Sequence, residues 1–526
     1  MLLLLQNTAL QFSLRDMQLI APELILTAGA CIALVMEVIL PYKKSKVTAY
    51  FSLVVIGLAA VSLGILWNSN QNSLPLVGFY GMLRIDGFAL VFKAIFLLAA
   101  ALAIAISTRY LDIEGEQHGE YYALVLFATV GMMFLGSGYD LILLYISLEL
   151  MALTFYVLVA FTKREKRSNE AAMKYFLLGA FSSGILLYGM SLLYGIAGST
   201  NLGEIGQSVG VIVASYKANG GEVANATATL RPMLLLGMIA LAAGLFFKVS
   251  AVPFHMWAPD AYEGAPTSVT AFLSTGSKAA SFALYARIFL VALEPMRIDW
   301  APLLGLVAAI TIVVGNWGAV TQENSKRLLA YSSISNAGYL LLALVAGNTY
   351  GYVGLVIYLL VYTLMNMGAF GVIISLRRRG IIGDNVDDMT GLGQKAPGIA
   401  LMMAIFMLSL GGLPATGGFI GKYYLLAGLF QRGKTDGKNW YYWLAGWAVI
   451  NIVVSFYYYV RFIKVMYLGD RIADDKPLSL SPALRTALVV SLAGVILIGV
   501  YPQPFIEIAQ RLIAPLTAVA GSVALR

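Results

Sequence analysis

Ionisable side chains occur inside apolar segments of this sequence that are long enough to cross a lipid bilayer. Glu149 lies nine residues after Asp140 in one such segment, which places it about 14 Å along a helix. Lys248, Lys278 and Lys422 lie well inside three others. A charge at the bilayer centre costs about 2.5–3.5 kcal/mol on insertion scales, so each of these residues is a functional candidate. A buried carboxylate and buried amines can gain and lose protons, and this pattern indicates proton transfer.

Three further charges lie nearer the ends of their segments. Lys174 is one turn into its segment, and two interpretations stay open for it: a partner of the buried carboxylate, or a lysine that reaches the interface or forms a structural ion pair. Lys93 and Glu37 also lie close to a segment end. Long side chains in such positions extend to the membrane surface, so we expect Lys93 and Glu37 to reach the interface or to form structural ion pairs.

Two lysine-bearing segments are interrupted by proline. Pro253 follows Lys248 by five residues, and Pro414 precedes Lys422 by eight. Glycines surround the second proline: Gly411, Gly412, Gly417 and Gly418. Proline removes an amide donor and frees backbone groups in mid-membrane, which is tolerated where the helix lines a hydrated cavity. The pattern predicts two broken helices beside Lys248 and Lys422.

The composition is that of a membrane protein. Of the 526 residues, 60% are hydrophobic and 12% are charged, and mean hydropathy is +0.80, whereas soluble domains have about 25% charged residues. The net charge of +8 is spread over short clusters between apolar segments, so we expect no nucleic-acid partner. Cys31, His118 and His255 are the only cysteine and histidines. They provide no disulfide, metal cluster or haem pair, and no catalytic group is predicted.

The apolar segments predict an all-α polytopic protein with about fourteen transmembrane helices. The segments are 18–40, 47–67, 86–108, 120–136, 139–161, 171–197, 231–262, 267–292, 301–320, 327–346, 351–376, 397–430, 440–468 and 483–501. Segments seven and twelve, which carry the breaks, are five segments apart, and because this number is odd they run in opposite directions. Such a pair is typical of inverted repeats. The predicted units are 1–119, 120–293 for the first repeat, 294–468 for the second repeat, and 469–526.

Basic residues predict the orientation. Clusters follow the first, fifth, ninth and eleventh segments, as in 163–167 and 377–379, and lysine and arginine favour the cytoplasmic side. The exception is the basic group at 432–438. Both termini are therefore expected outside.

Several motifs together resemble those of the antiporter-like subunits of complex I. They are LEL at 148–150, KVSAVPFHMWAPDAYEGAPT at 248–267, STGSKAA at 274–280, SKRLLAYSSISNAGY at 325–339 and GGLPATGGFIGK at 411–422. The resemblance covers nearly the whole chain. Within the family the chain is most similar to the bacterial N type, since Lys422 matches the N and L types and the long lateral helix of the L type is not expected here.

This resemblance implies a fold and a set of roles. The fold has two inverted five-helix repeats and breaks in helices seven and twelve. The implied proton-translocating residues are Glu149 with Lys174 as its lysine partner, Lys248 and Lys278 as central lysines, His255 as a polar link beside Pro253, and Lys422 at the exit. Opening or closing the Glu–Lys pair would change proton affinity at the next site, because burial disfavours a charged lysine and a nearby carboxylate favours it.

The resemblance also implies a setting. The chain would be a proton-translocating membrane-arm subunit of an NADH:quinone oxidoreductase, in the bacterial plasma membrane or, alternatively, a thylakoid-type membrane. FMN, iron–sulfur clusters and quinone are expected in partner subunits, with none in this chain. Expected neighbours are an M-type antiporter-like subunit, small K-, J- and A-type subunits, and lipids. A sodium/proton antiporter subunit and a membrane-bound hydrogenase subunit stay open as alternatives.

Overall fold

The computed structural model describes residues 14–40, 46–70, 74–218, 230–377, 384–469 and 480–524. Its helices are α1 Leu14–Leu19, α2 Ala21–Ile39, α3 Lys46–Asn70, α4 Gly87–Glu114, α5 Gly119–Ser137, α6 Leu141–Val159, α7 Lys166–Ala197, α8 Leu202–Ala218, α9 Arg231–Val249, α10 Trp257–Gly264, α11 Thr267–Phe272, α12 Lys278–Arg287, α13 Arg297–Val320, α14 Ser325–Ala346, α15 Thr349–Leu376, α16 Leu392–Lys395, α17 Pro397–Gly411, α18 Gly417–Asp436, α19 Trp440–Leu468, α20 Pro482–Val500 and α21 Gln503–Ala524. Two short antiparallel strands, β1 Leu76–Gly78 and β2 Leu83–Ile85, connect α3 to α4.

Twelve helices in the described residues are long and apolar enough to span a membrane. These are α2 to α7, α9, α13 with its preceding turn, α14, α15, α19 and α20. The predicted eighth segment is helical but has a π-helical turn at Leu273–Ser277 between α11 and α12. The predicted twelfth is divided into α17 and α18. The all-α membrane fold is confirmed, while the number fourteen stays a prediction.

Both predicted helix breaks are present. After α9 the backbone at Ser250 is left-handed, with φ 61°, and helix resumes at Trp257. After α17 it is left-handed at Gly412, with φ 88°, and helix resumes at Gly417. Pro253 and Pro414, the prolines that predicted the breaks, lie between the halves and are exposed on the isolated chain.

Helix packing is similar in the two predicted repeats. α5 packs on α6 and α13 packs on α14, while α7 contacts both α9 and α10 and α15 contacts both α17 and α18. α14 and α15 are the most buried of the membrane-spanning helices. This packing agrees with a repeat of five helices, although the boundaries at 120–293 and 294–468 stay predictions.

Two buried ion pairs fasten α4 to the rest of the fold. Arg287 of α12 binds both oxygens of Asp86 at 2.7 Å and also donates to the carbonyl of Gly136. Lys93 of α4 lies 2.6 Å from Glu23 of α2, and both side chains are fully buried. Of the two expectations for Lys93, the structure shows the structural ion pair; the sequence could not identify its partner, because Glu23 lies on another helix.

Basic residues at the predicted inner end are neutralised by acids. Arg377 pairs with Glu114 and, at 3.3 Å, with Asp384. Lys326, at the start of α14, lies 3.9 Å from Asp384 and donates to the carbonyl of Ala265 at 2.8 Å. These contacts join α4, α10, α14 and α15 at one end of the fold.

Candidate functional site

Glu149 lies on α6 and is half-buried, and Lys248 lies at the end of the first half of the broken helix. Lys248 is in the last turn of α9, directly before the break, and is 7% exposed. A cation is favoured there by the carbonyl end of the helix. Glu149 lies near enough to interact electrostatically with Lys248. Among the described residues, however, neither Glu149 Oε1 nor Lys248 Nζ has a hydrogen-bond partner. Ordered water normally completes buried polar groups of this kind.

Lys174 lies on the outside of the chain rather than beside Glu149. Its side chain is 46% exposed, and Nζ lies 2.8 Å from Glu170 on the preceding turn and 3.0 Å from Asp260 of α10. Asp260 also binds Arg327 of α14 at 3.0 Å. The structure therefore places Lys174 in a surface ion network that joins α7, α10 and α14, and its role as partner of Glu149 stays a prediction.

His255 lies within the first helix break. The residue is half-buried, while Met256 beside it is 69% exposed. The Nδ1 atom of His255 is buried and has no hydrogen-bond partner in the described part of the chain. The position suits the polar link that the family resemblance implies, and this role too stays a prediction.

Lys278 connects the two predicted repeats. It follows the π-helical turn directly, is 2% exposed, and donates to the backbone carbonyl of Ser333 in α14 at 2.5 Å and to the Ser333 hydroxyl. Its ammonium also lies 5.5 Å from the ring centroid of Tyr362. No described carboxylate forms an ion pair with Lys278, so its charge is compensated by dipoles and an aromatic face.

A polar face of α14 continues from Ser333 toward Lys422. Ser332 Oγ lies 2.5 Å from the Tyr459 hydroxyl. Asn336, one turn later, accepts a 2.6 Å hydrogen bond from Tyr358 and donates to Ser332 at 3.4 Å. The sequence predicts no individual role for Ser332 or Asn336, which lie within a family motif. Polar residues at 332, 336 and 339 share one helical face, and that spacing was the available signal.

Lys422 is held by the end of the other half-helix. It is 3% exposed and donates to the last carbonyls of α17, Leu410 at 2.8 Å and Gly411 at 3.4 Å. Its ammonium lies 5.0 Å from the ring centroid of Tyr339. Free carbonyls at the end of a helix carry partial negative charge. Lys422 therefore also keeps a buried charge without a carboxylate partner among the described residues.

Tyr358 packs closely against α18 at the residue before Lys422. A Cβ atom at Gly421 would lie 2.5 Å from the ring of Tyr358, so a larger residue at position 421 would push this ring away. Tyr358 is thus hydrogen-bonded to Asn336 at its hydroxyl and packed against Gly421 at its ring. The second half of the site therefore has polar contacts at Lys278, along α14 and at Lys422, which are joined in part by side-chain packing rather than by hydrogen bonds.

Comparisons with known proteins agree on one family. A family model described as NADH:quinone oxidoreductase/Mrp antiporter, transmembrane, matches residues 138–446. The chain is 51% identical over 444 residues to NADH-quinone oxidoreductase subunit N 2 of Solibacter usitatus, covering 84% of this chain and 86% of the relative. It is 47% identical to subunit N 1 of Koribacter versatilis, covering 94% of each.

A solved structure has the same fold. A chain of respiratory complex I from Thermus thermophilus with bound aureothin superposes with a TM-score of 0.74 at 31% identity. The match covers 93% of this chain and 99% of that chain.

Proposed function

Since this chain belongs to the NADH:quinone oxidoreductase and Mrp antiporter family of membrane subunits, we propose that its buried lysines carry protons across the membrane. The chain is a proton-translocating membrane-arm subunit of an NADH:quinone oxidoreductase, similar to subunit N. It is a multi-pass membrane protein that assembles with other membrane-arm subunits. The row consists of Glu149, Lys248, Lys278 and Lys422, with His255 beside the first break.

The burial of Lys278 and Lys422 against hydrogen-bond acceptors carries this proposal. Lys278 donates to Ser333, and Lys422 is fixed against the end of α17. Neither has a carboxylate partner among the described residues, so its protonation depends on the dipoles and charges around it. A proton that arrives at one lysine in a low-dielectric interior disfavours a second charge nearby, and this repulsion moves charge along the row.

The first half of the row supplies the coupling. Glu149 and Lys248 interact electrostatically without a direct hydrogen bond among the described residues. When the Glu149 carboxylate approaches Lys248, the charged form of the lysine is favoured. When the two groups separate, release of the Lys248 proton is favoured. Quinone reduction elsewhere in the complex drives this change. Moving one charge against the membrane potential costs about 2.3 kcal/mol per 100 mV, which successive lysines divide into steps.

The setting completes the proposal. FMN, iron–sulfur clusters and quinone belong to partner subunits, and the neighbours are an M-type antiporter-like subunit and small K-, J- and A-type subunits. The membrane is the bacterial plasma membrane, with both chain termini outside. The clusters of basic residues at 163–167 and 377–379 support this orientation.

A sodium/proton antiporter subunit is the second candidate function. The family description includes Mrp antiporters, so the fold does not separate the two functions. The subunit N relatives at 51% and 47% identity favour the respiratory complex. Co-purification of an NADH-oxidising arm supports the first function, and sodium-dependent transport without such an arm supports the second.

Substitution of Lys278 tests the proton row. The intact complex is reconstituted in vesicles, and proton pumping is followed with a pH-sensitive dye beside quinone reduction. Lys278→Met is expected to assemble and to lower both activities about a hundredfold, the lower end of the range for loss of one proton-transfer group. Lys464→Met is the matched control, because Lys464 is exposed on α19. Parent-like pumping in an assembled Lys278→Met complex would refute the row.

A further inference from the structure

A buried carboxylate lies beyond Lys422 at the end of the fold predicted to be outer. Glu294 begins the turn Glu294–Met296 between the predicted repeats, and its side chain is 13% exposed. Its Oε1 accepts from Arg297 at 3.4 Å, whereas Oε2 is buried and has no hydrogen-bond partner among the described residues. A carboxylate in this state has unused capacity to bind a proton.

The arginines around Glu294 compensate its charge only in part. Arg297 donates to the carbonyl of Val345 at 2.8 Å and lies over the ring of Trp300. Its contact with Glu294 is the longer of these hydrogen bonds. Arg432, at the end of α18, interacts with Glu294 electrostatically but forms its ion pair with Asp436 at 2.8 Å. Each arginine is thus held by another group, and one carboxylate oxygen has no hydrogen-bond partner among the described residues.

Helix α18 and helix α15 connect this carboxylate to Lys422. Lys422 and Arg432 lie ten residues apart on α18, about 15 Å along its axis. The start of α15 is tied to α18 by Asn348, which donates to the carbonyl of Gly428 at 2.8 Å. Tyr352, one turn further along α15, is buried, and its hydroxyl lies near both Arg297 and Glu294. Polar groups therefore continue past Lys422 toward the surface.

We propose that Glu294 receives the proton that Lys422 releases and passes it to the aqueous phase outside. In the first step an N–H bond of the Lys422 ammonium breaks, water relays the proton, and an O–H bond forms at the carboxylate of Glu294. Lys422 and Glu294 are then both neutral. In the second step the O–H bond breaks, external water takes the proton, and the carboxylate returns to its contact with Arg297. This inference rests on the proposed function and names a further residue of the same route.

The test uses the whole complex in vesicles whose outer-side pH is varied. Glu294→Gln keeps the shape of the side chain but cannot release a proton, so pumping is expected to fall about a hundredfold. Its residual pumping should no longer depend on outer-side pH. Glu294→Asp restores a titratable oxygen and should recover much of the rate and the pH dependence. A purely structural role would not produce this recovery of the pH profile.

Two further variants, a matched control and Lys422→Ala, distinguish failure of the role proposed for Glu294 from failure of the proposed lysine row. Asp299→Asn removes a carboxylate at the same end of α13, paired with Arg231 at 2.6 Å, and should pump as the parent does. If Lys422→Ala abolishes pumping but Glu294→Gln pumps with unchanged pH dependence, the role of Glu294 is refuted and the lysine row stands. If Lys422→Ala pumps as well as the parent, the proposed row itself fails.

Discussion

Substitutions of the hydrogen-bonded pair Tyr358 and Asn336 test whether these residues belong to the proton route or only support packing. Tyr358 is fully buried and donates to Asn336 Oδ1 at 2.6 Å. Asn336→Leu leaves that hydroxyl unpaired, which costs about 1–3 kcal/mol. Tyr358→Phe leaves the side-chain oxygen Oδ1 of Asn336 unpaired at a similar cost in stability. The double variant removes both polar groups. Its loss of stability should therefore be smaller than the sum of the losses in the two single variants, by roughly 0.5–3 kcal/mol.

Stability and pumping should then respond differently to the double substitution. The double variant regains stability because no buried polar group is left without a partner. Pumping should stay low, since neither the hydroxyl nor the amide remains between Lys278 and Lys422. Thermal denaturation of the assembled complex gives the first quantity, and the pH-sensitive dye in vesicles gives the second.

Tyr121→Phe is the matched control for Tyr358→Phe. Tyr121 is also fully buried, and its hydroxyl donates to Ser268 at 2.9 Å, away from the contacts between Lys278 and Lys422. Tyr121→Phe should lower the stability of the complex by about as much as Tyr358→Phe does, but pumping per assembled complex should stay at the parent level. Recovery of pumping together with stability in the Asn336→Leu/Tyr358→Phe variant would show that the contact only supports packing.

Two further predictions concern Glu149 and the ion pair between Lys93 and Glu23. Glu149→Gln should preserve assembly and lower proton pumping and quinone reduction together, because it removes the charge that acts on Lys248; unchanged pumping per assembled complex would contradict this. Lys93→Leu should destabilise the complex by about 3–5 kcal/mol, since it leaves Glu23 buried and unpaired, and Glu23→Leu/Lys93→Leu should restore stability. Denaturation curves of the parent, Lys93→Leu and the double variant decide the second prediction, which fails if the double variant is no more stable than Lys93→Leu.

The sequence by itself determined the membrane fold, the helix breaks and the buried lysines. Long apolar segments admit few structures other than membrane helices, because backbone polar groups must be satisfied within the lipid. Pro253 and Pro414 interrupt those segments, and both breaks are present in the structure. Lys278 and Lys422 are likewise buried, because a charge facing lipid is costly. These conclusions depend only on which residues lie near one another along the chain, and this can be read from the sequence without knowing the tertiary contacts.

Only the tertiary structure decided which groups meet. Lys93 is paired with Glu23 from a helix seventy residues away, and no local pattern encodes that distance. Lys174 faces outward because Glu170 and Asp260 bind it there, although its position in the sequence suits an inward residue equally well. The path from Lys278 through α14 depends on hydroxyl and amide side chains whose partners lie on other helices. Such contacts follow from helix rotation and packing, and these are fixed by the whole chain together.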